Sequence, residues 1–133
     1  MLLDSASTTV KICDFGLAII APNGAFDWYG HAGTAGYMSP EVLRREKYGK
    51  PVDMWAIGAI LFFLLSGDQA FWHEDTEELR NLTRRAEYTF GSSWDSVSIE
   101  AKQLVELAFE LDPQRRISPE KALRNSWIKQ FDN

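Results

Sequence analysis

The hydrophobic pattern opens with "TTVKIC", Thr8 to Cys13, a stretch rich in β-branched residues that reads as a β-strand. The apolar run extends from Val10 to Ile20 and is broken once, by Asp14-Phe15-Gly16. From Gly16 to Thr34 the pattern gives way to glycines, mixed aromatics and a Pro-Asn-Gly turn signal at Pro22 to Gly24. This predicts a long irregular segment, and such loops in compact domains are usually functional or disordered.

Helix signals follow one another after that. Ser39-Pro40-Glu41 offers a capping hydroxyl, a proline in the first turn and an acid, the order that orphan amides and the helix dipole favour. Lys50-Pro51-Val52-Asp53 opens a second helix, which continues for 12 uncharged residues, Met54 to Leu65. A membrane span needs about 20. A short helix that is apolar all round belongs at the centre of a soluble domain and reads as its hub. Asp75 with Glu78 resembles a capping box ahead of "LRNLTRRA". Ser98 starts "IEAKQLVELAFELDP", in which Ala101, Leu104, Val105 and Ala108 share one face, Leu107 and Leu111 lie beside it, and Pro113 is the stop. Ser118-Pro119-Glu120 repeats the earlier helix start. The expected fold is mainly α: a short N-terminal β segment, a long loop and a string of helices. Nothing else in the chain reads strongly as a mate for the strand, whose edges would then stay unpaired.

Composition narrows the class. With 133 residues, 45% of them apolar and 25% charged, the chain can build one core and is not disordered. The net charge of −5, without a basic cluster, argues against nucleic acid. Cys13 stands alone, which rules out an internal disulfide and fits a reducing, cytoplasmic compartment. The N-terminal "MLLDSASTT" is too short and polar for a secretory signal, and no membrane segment is expected.

Asp14-Phe15-Gly16 by itself is a weak signal, because Asp with Gly is ordinary turn chemistry. Its context is more specific. The motif follows an apolar strand and precedes a long loop that leads into "GTAGYMSPEV". Then come "YGKPVDMWAIGAILFFLLSG", "DPQRRIS" and "SWI", in that order. Taken in this order, the motifs resemble the C-terminal, helical lobe of a eukaryotic protein kinase. The pieces are the Asp-Phe-Gly metal motif, the Gly-Thr-x-Gly-Tyr loop, a Ser-Pro-Glu form of Ala-Pro-Glu, a Val-Asp-x-Trp helix and an arginine before the last helices. The resemblance covers essentially the whole chain, with residues 1–128 as a partial kinase domain and 129–133 as a tail. It is strongest toward the calcium/calmodulin-dependent Ser/Thr kinases, and within these toward the type II branch.

The resemblance implies roles for particular residues. Asp14 would ligate the Mg²⁺ that bridges the ATP phosphates, with Phe15 packed beneath it and Gly16 freeing the backbone there. Thr34 would set a hydroxyl near the catalytic aspartate, as in Ser/Thr kinases. Gly36 and Tyr37 would border the pocket for the residue after the phospho-acceptor of a protein substrate. Glu41 and Arg116 would form a buried bidentate pair that anchors this segment, a fit that lysine could not equal. Asp53 would hold the catalytic-loop backbone from the hub helix. Trp55, Trp72, Trp94 and Trp127 read as core or groove packing. Taken singly, Asp53 and Glu41 are ordinary helix-start carboxylates and Arg116 is a solvated charge.

The departures from the family pattern are also informative. No Gly-rich loop, ATP-binding lysine or His-Arg-Asp catalytic loop occurs, and Met1 to Leu3 would fall just after the Mg²⁺-binding asparagine. The N-terminal lobe is thus expected to be absent and the chain alone inactive. ATP and Mg²⁺ would serve the intact kinase and bind this chain weakly if at all. The face of Trp55, Ile57, Leu61, Phe62 and Leu65 is expected to be partly exposed, and Asp53 to be buried without its amide partners. Prolines usual in the family are replaced at Ala35, Gln69 and Ala70, and "NSW" carries Asn125 and Ser126 instead of His-Pro. His31 stands where relatives switched by loop phosphorylation carry threonine. No basic amphipathic calmodulin-binding segment follows "WIKQF". Two rival readings remain: a catalytically dead module that docks protein partners, and an unrelated helical protein.

Overall fold

The computed structural model describes residues 2–3, 10–20, 28–30 and 32–131. The turn signal at Pro22 to Gly24 and His31 lie outside the described residues. Of the expected strand, Thr8 and Thr9 lie outside the described residues, Val10 and Lys11 are in a ladder and Ile12 and Cys13 are not; the strand also has a mate. β2, Val10–Lys11, pairs antiparallel with β1, Leu2–Leu3, with Leu2 opposite Lys11 and Leu3 opposite Val10. This corrects the expectation of an unpaired strand. Two adjacent leucines show no alternation, so periodicity had nothing to detect.

Six α-helices follow among the described residues: α1 Pro40–Leu43, α2 Pro51–Ser66, α3 Thr76–Arg84, α4 Ile99–Ala108, α5 Pro119–Leu123 and α6 Ser126–Lys129. Local chemistry accounts for most of their ends. Asp75 accepts from the Glu78 amide at 2.8 Å, Ser98 from Ala101 at 3.3 Å, Ser118 from Lys121 at 3.3 Å and Asn125 from Trp127 at 2.9 Å. The capping box at Asp75 is one-sided, because the Asp75 amide donates to His73 Nδ1 instead of to Glu78. α2 ends on Gly67, whose φ of 79° is the left-handed conformation that closes many helices. Ser39 precedes α1 but makes no cap bond, and its Oγ is buried without a partner among the described residues.

α2 crosses α4 at Gly58, where an added Cβ would lie 2.8 Å from Ala108 Cβ. Backbone and side chains meet there at a distance that only glycine allows. Trp55, Ala59 and Phe62 of α2 form the main core with Phe71, Trp94, Val105 and Phe109. Trp55 stacks on Phe71 at 5.5 Å between centroids, and Phe62 meets Trp94 at 4.6 Å. Met54, Leu104, Ala108 and Ile117 make a second cluster against Trp127 and Ile128. α4 stops at Ala108, short of Pro113, and Phe109 turns into the core with its amide on the Val105 carbonyl at 2.9 Å.

The exposed face of α2 agrees with the expected one at Ile57, 49% exposed, and at the half-buried Leu61 and Leu65, but not at Trp55 and Phe62, which are buried; Phe63 and Leu64 are exposed in addition. Asp53, one turn before Ile57, is exposed as well, so it bears no desolvation penalty. One side of the helix is occupied by α4 and the aromatic cluster, and the positions turned away by the 3.6-residue period remain at the surface. Among the described residues, no helix is long and apolar enough to cross a membrane.

Candidate functional site

Glu41 and Arg116 form the buried centre of the site. Arg116 Nη1 and Nη2 donate to Glu41 Oε1 and Oε2 at 2.7 and 3.0 Å, both side chains almost wholly buried. Nη1 also reaches the Pro51 carbonyl at 3.0 Å, and Nε the Glu110 carbonyl at 2.9 Å. The guanidinium carbon lies 5.2 Å from the Trp55 ring centroid. A buried charge is tolerated when it is paired and hydrogen-bonded, and this guanidinium is paired with Glu41 and donates four hydrogen bonds. One side chain thereby joins α1, the start of α2 and the segment after α4.

The segment that α1 anchors lies directly before it. Residues 35–37 form a tight 3₁₀ turn in which the Tyr37 amide donates to the Thr34 carbonyl at 2.9 Å. Thr34 is exposed, Gly36 half-buried and Tyr37 37% exposed. Behind the turn runs the stretch after α2: a Cβ on Gly36 would lie 3.6 Å from the Phe71 carbonyl and 3.9 Å from Gln69 Oε1. The turn thus packs against that backbone at a spacing that would still leave a methyl group in ordinary contact. Gly33, at a φ of 125° and over Met38, sets the entry to the turn.

Asp14 is exposed and holds a φ of 63° and ψ of 68°, a left-handed conformation unusual outside glycine. Residues kept in such sparse regions cluster at functional sites. Phe15 opens a short 3₁₀ turn, Phe15–Leu17, but it is 68% exposed rather than packed beneath Asp14. Gly16 lies against the carboxylate, an added Cβ being 3.5 Å from Asp14 Oδ1. Among the described residues, no group of three or more His, Cys, Asp or Glu side chains is placed to hold a metal ion. A single exposed carboxylate does not match what Mg²⁺ needs to give up its waters.

Sequence reasoning missed two features. The first is an open groove of about 520 Å³, walled by Phe62, Ala70, Trp72, Tyr88 and Trp94, with Asp68 at its rim. Trp72 is 60% exposed there, and Asp68 accepts from the Ser93 hydroxyl at 2.8 Å. Burial pushes the Tyr88 phenol up to about 12, with Glu106 adding to the effect. The second is a bridge between Trp28 and Tyr48. The aromatic residues of the loop were its only trace in the sequence.

Comparison with known proteins decides the family. The model of the protein kinase domain matches residues 1–128. The chain belongs to the protein kinase family. It is 47% identical over 125 residues to the calcium/calmodulin-dependent protein kinase type II subunit delta of Oryctolagus cuniculus. That match covers 93% of this chain and 24% of the relative, so the chain spans about a quarter of that kinase's length. The helical fold, the motif order and the likeness to calcium/calmodulin-dependent Ser/Thr kinases all agree with this membership.

Proposed function

We propose that this chain is the C-terminal-lobe portion of a Ser/Thr protein kinase whose intact form moves the ATP γ-phosphate to a serine or threonine of a protein substrate. The observation that carries the reading is the buried Glu41–Arg116 pair, which fixes the turn from Thr34 to Tyr37 to the helical body. In this reading Gly36 and Tyr37 border the pocket for the residue after the phospho-acceptor, and Thr34 lies near the catalytic aspartate. Phosphoryl transfer depends on positioning and charge neutralisation. This chain contributes substrate positioning and one metal-facing carboxylate, Asp14. Asp53, at the exposed start of α2, would meet the catalytic-loop backbone.

The 133-residue chain alone is then inactive. Calorimetry with ATP and Mg²⁺ should detect no binding by the chain, with Asp14→Ala as control. The intact kinase should transfer labelled phosphate to a protein substrate and lose this on Asp14→Ala. Transfer by the 133-residue chain, lost in Asp14→Ala, would sink the proposal of inactivity. Failure of the intact protein to transfer phosphate would favour the second reading, a catalytically dead module that docks protein partners. The open groove beside the exposed Trp72 supports that alternative.

A further inference from the structure

The connection between α1 and α2 does more than link two helices. The Tyr48 amide donates to the Trp28 carbonyl at 3.0 Å, and the Trp28 amide donates to the Tyr48 carbonyl at 3.3 Å. This is one antiparallel bridge between the long loop and the helical body. The adjoining residues reinforce it. Lys47 Nζ lies 5.8 Å from the Tyr29 ring centroid. Gly30 lies under the Tyr48 hydroxyl, where an added Cβ would come within 3.1 Å of Oη. Three consecutive loop residues are thus matched to two consecutive residues of the connection.

That connection is rigid on both sides. The Arg45 and Glu46 amides donate back into α1, to Val42 and Glu41 at 3.0 Å each. The Val52 and Asp53 amides close the first turn of α2 on Gly49 and Lys50. α1 is itself held by Arg116 through Glu41. The loop is therefore fastened to the same body that carries the turn at residues 35–37. Holding both ends of a segment removes most of the loop entropy that would otherwise spread its conformations.

We infer that Tyr48 forms a backbone tether for the segment entering the Thr34–Tyr37 turn, supported by the Lys47 side chain over Tyr29, and that Tyr48 is a positioning residue for that turn. The peptide-facing role of the turn rests on the kinase reading above; the tether itself does not. Its consequence is that the turn is presented in one arrangement before any peptide arrives, which lowers the ordering cost of binding.

Amide hydrogen exchange on the full 133-residue chain tests this without ATP or peptide. The Trp28 and Tyr48 amides should exchange at least about tenfold more slowly than those of Tyr29 and Gly30. Trp28→Pro deletes one donor in the loop, away from the core. It should lower protection at Tyr48 and at Tyr37 while Ala59 and Val105 stay protected. Gly30→Ala should act in the same direction by crowding the Tyr48 hydroxyl, and adding Tyr48→Phe should restore protection. Wild-type Trp28 and Tyr48 amides exchanging as fast as their neighbours would overturn the tether. So would Trp28→Pro leaving Tyr48 and Tyr37 unchanged. Intact protection in a parent protein that transfers no phosphate would count against the kinase reading alone and would leave the tether standing.

Discussion

Arg116 grips both oxygens of Glu41 across 75 positions of sequence, in a site from which water is almost wholly excluded. The two residues sit in α1 and after α4, so the pair fixes α1 against the segment that leads from α4 to α5.

Arg116→Lys keeps the charge but loses the fork that meets Glu41, Pro51 and Glu110 at once. Breaking a buried pair costs about 3–5 kcal/mol, and a lysine that retains one contact should fall toward the lower end. Urea titration should show the midpoint fall markedly with little change in slope. A loss under 1 kcal/mol would contradict the anchoring role.

Ser39 presents the opposite case. Its Oγ is buried without a partner among the described residues, although Ser39 holds the position from which a hydroxyl normally caps a helix. An unsatisfied buried hydroxyl carries a penalty of about 1–3 kcal/mol. Ser39→Ala should therefore raise the thermal midpoint. A fall would mean that the hydroxyl has a bond in solution.

Ala86 follows α3 at a φ of 50°. Its amide donates to Thr83 and the next amide, of Glu87, to Leu82, the closing pattern that glycine usually occupies. Ala86→Gly removes a left-handed strain of about 1–2 kcal/mol, partly offset by glycine's greater freedom when unfolded. The expected gain is about 0.5–1 kcal/mol in chemical denaturation. A destabilised variant would show that the Ala86 methyl matters more as packing.

Tyr88 makes stability depend on alkaline pH. Burial raises its phenol to about 12 from the ordinary 10. Between those values the unfolded phenol loses its proton while the folded one keeps it, so its stabilising contribution is complete below pH 10 and fades toward 12. Tyr88→Phe should track the wild type in its pH dependence below about 10 and decline less steeply above it. Parallel curves at pH 11 would refute the assignment.

The helices were legible where short-range chemistry sets them. Ser98, Ser118 and Asp75 cap as their spacing suggests, because an N-cap bond spans only three residues. Glu41 and Arg116, which the structure brings together, could be paired only through the order of motifs, since no local rule links residues so far apart. The Trp28–Tyr48 bridge and the β1 mate escaped because each involves too few residues to show a period. Asp53, Trp55 and Phe62 were misjudged for another reason. A helix that is apolar all round does not reveal which face its neighbours will take.

Gly58 brings these parts into a common frame. Ala108 Cβ and the Phe109 ring rest on bare backbone there, so the spacing of α2 and α4 is set by contact with the main chain. No rotamer can adjust that distance. Arg116 follows α4 by eight residues, and the stretch behind the Gly36 turn follows α2 directly, so both hang from the pair of helices whose spacing this contact sets. The reference point for that spacing is a residue with no side chain.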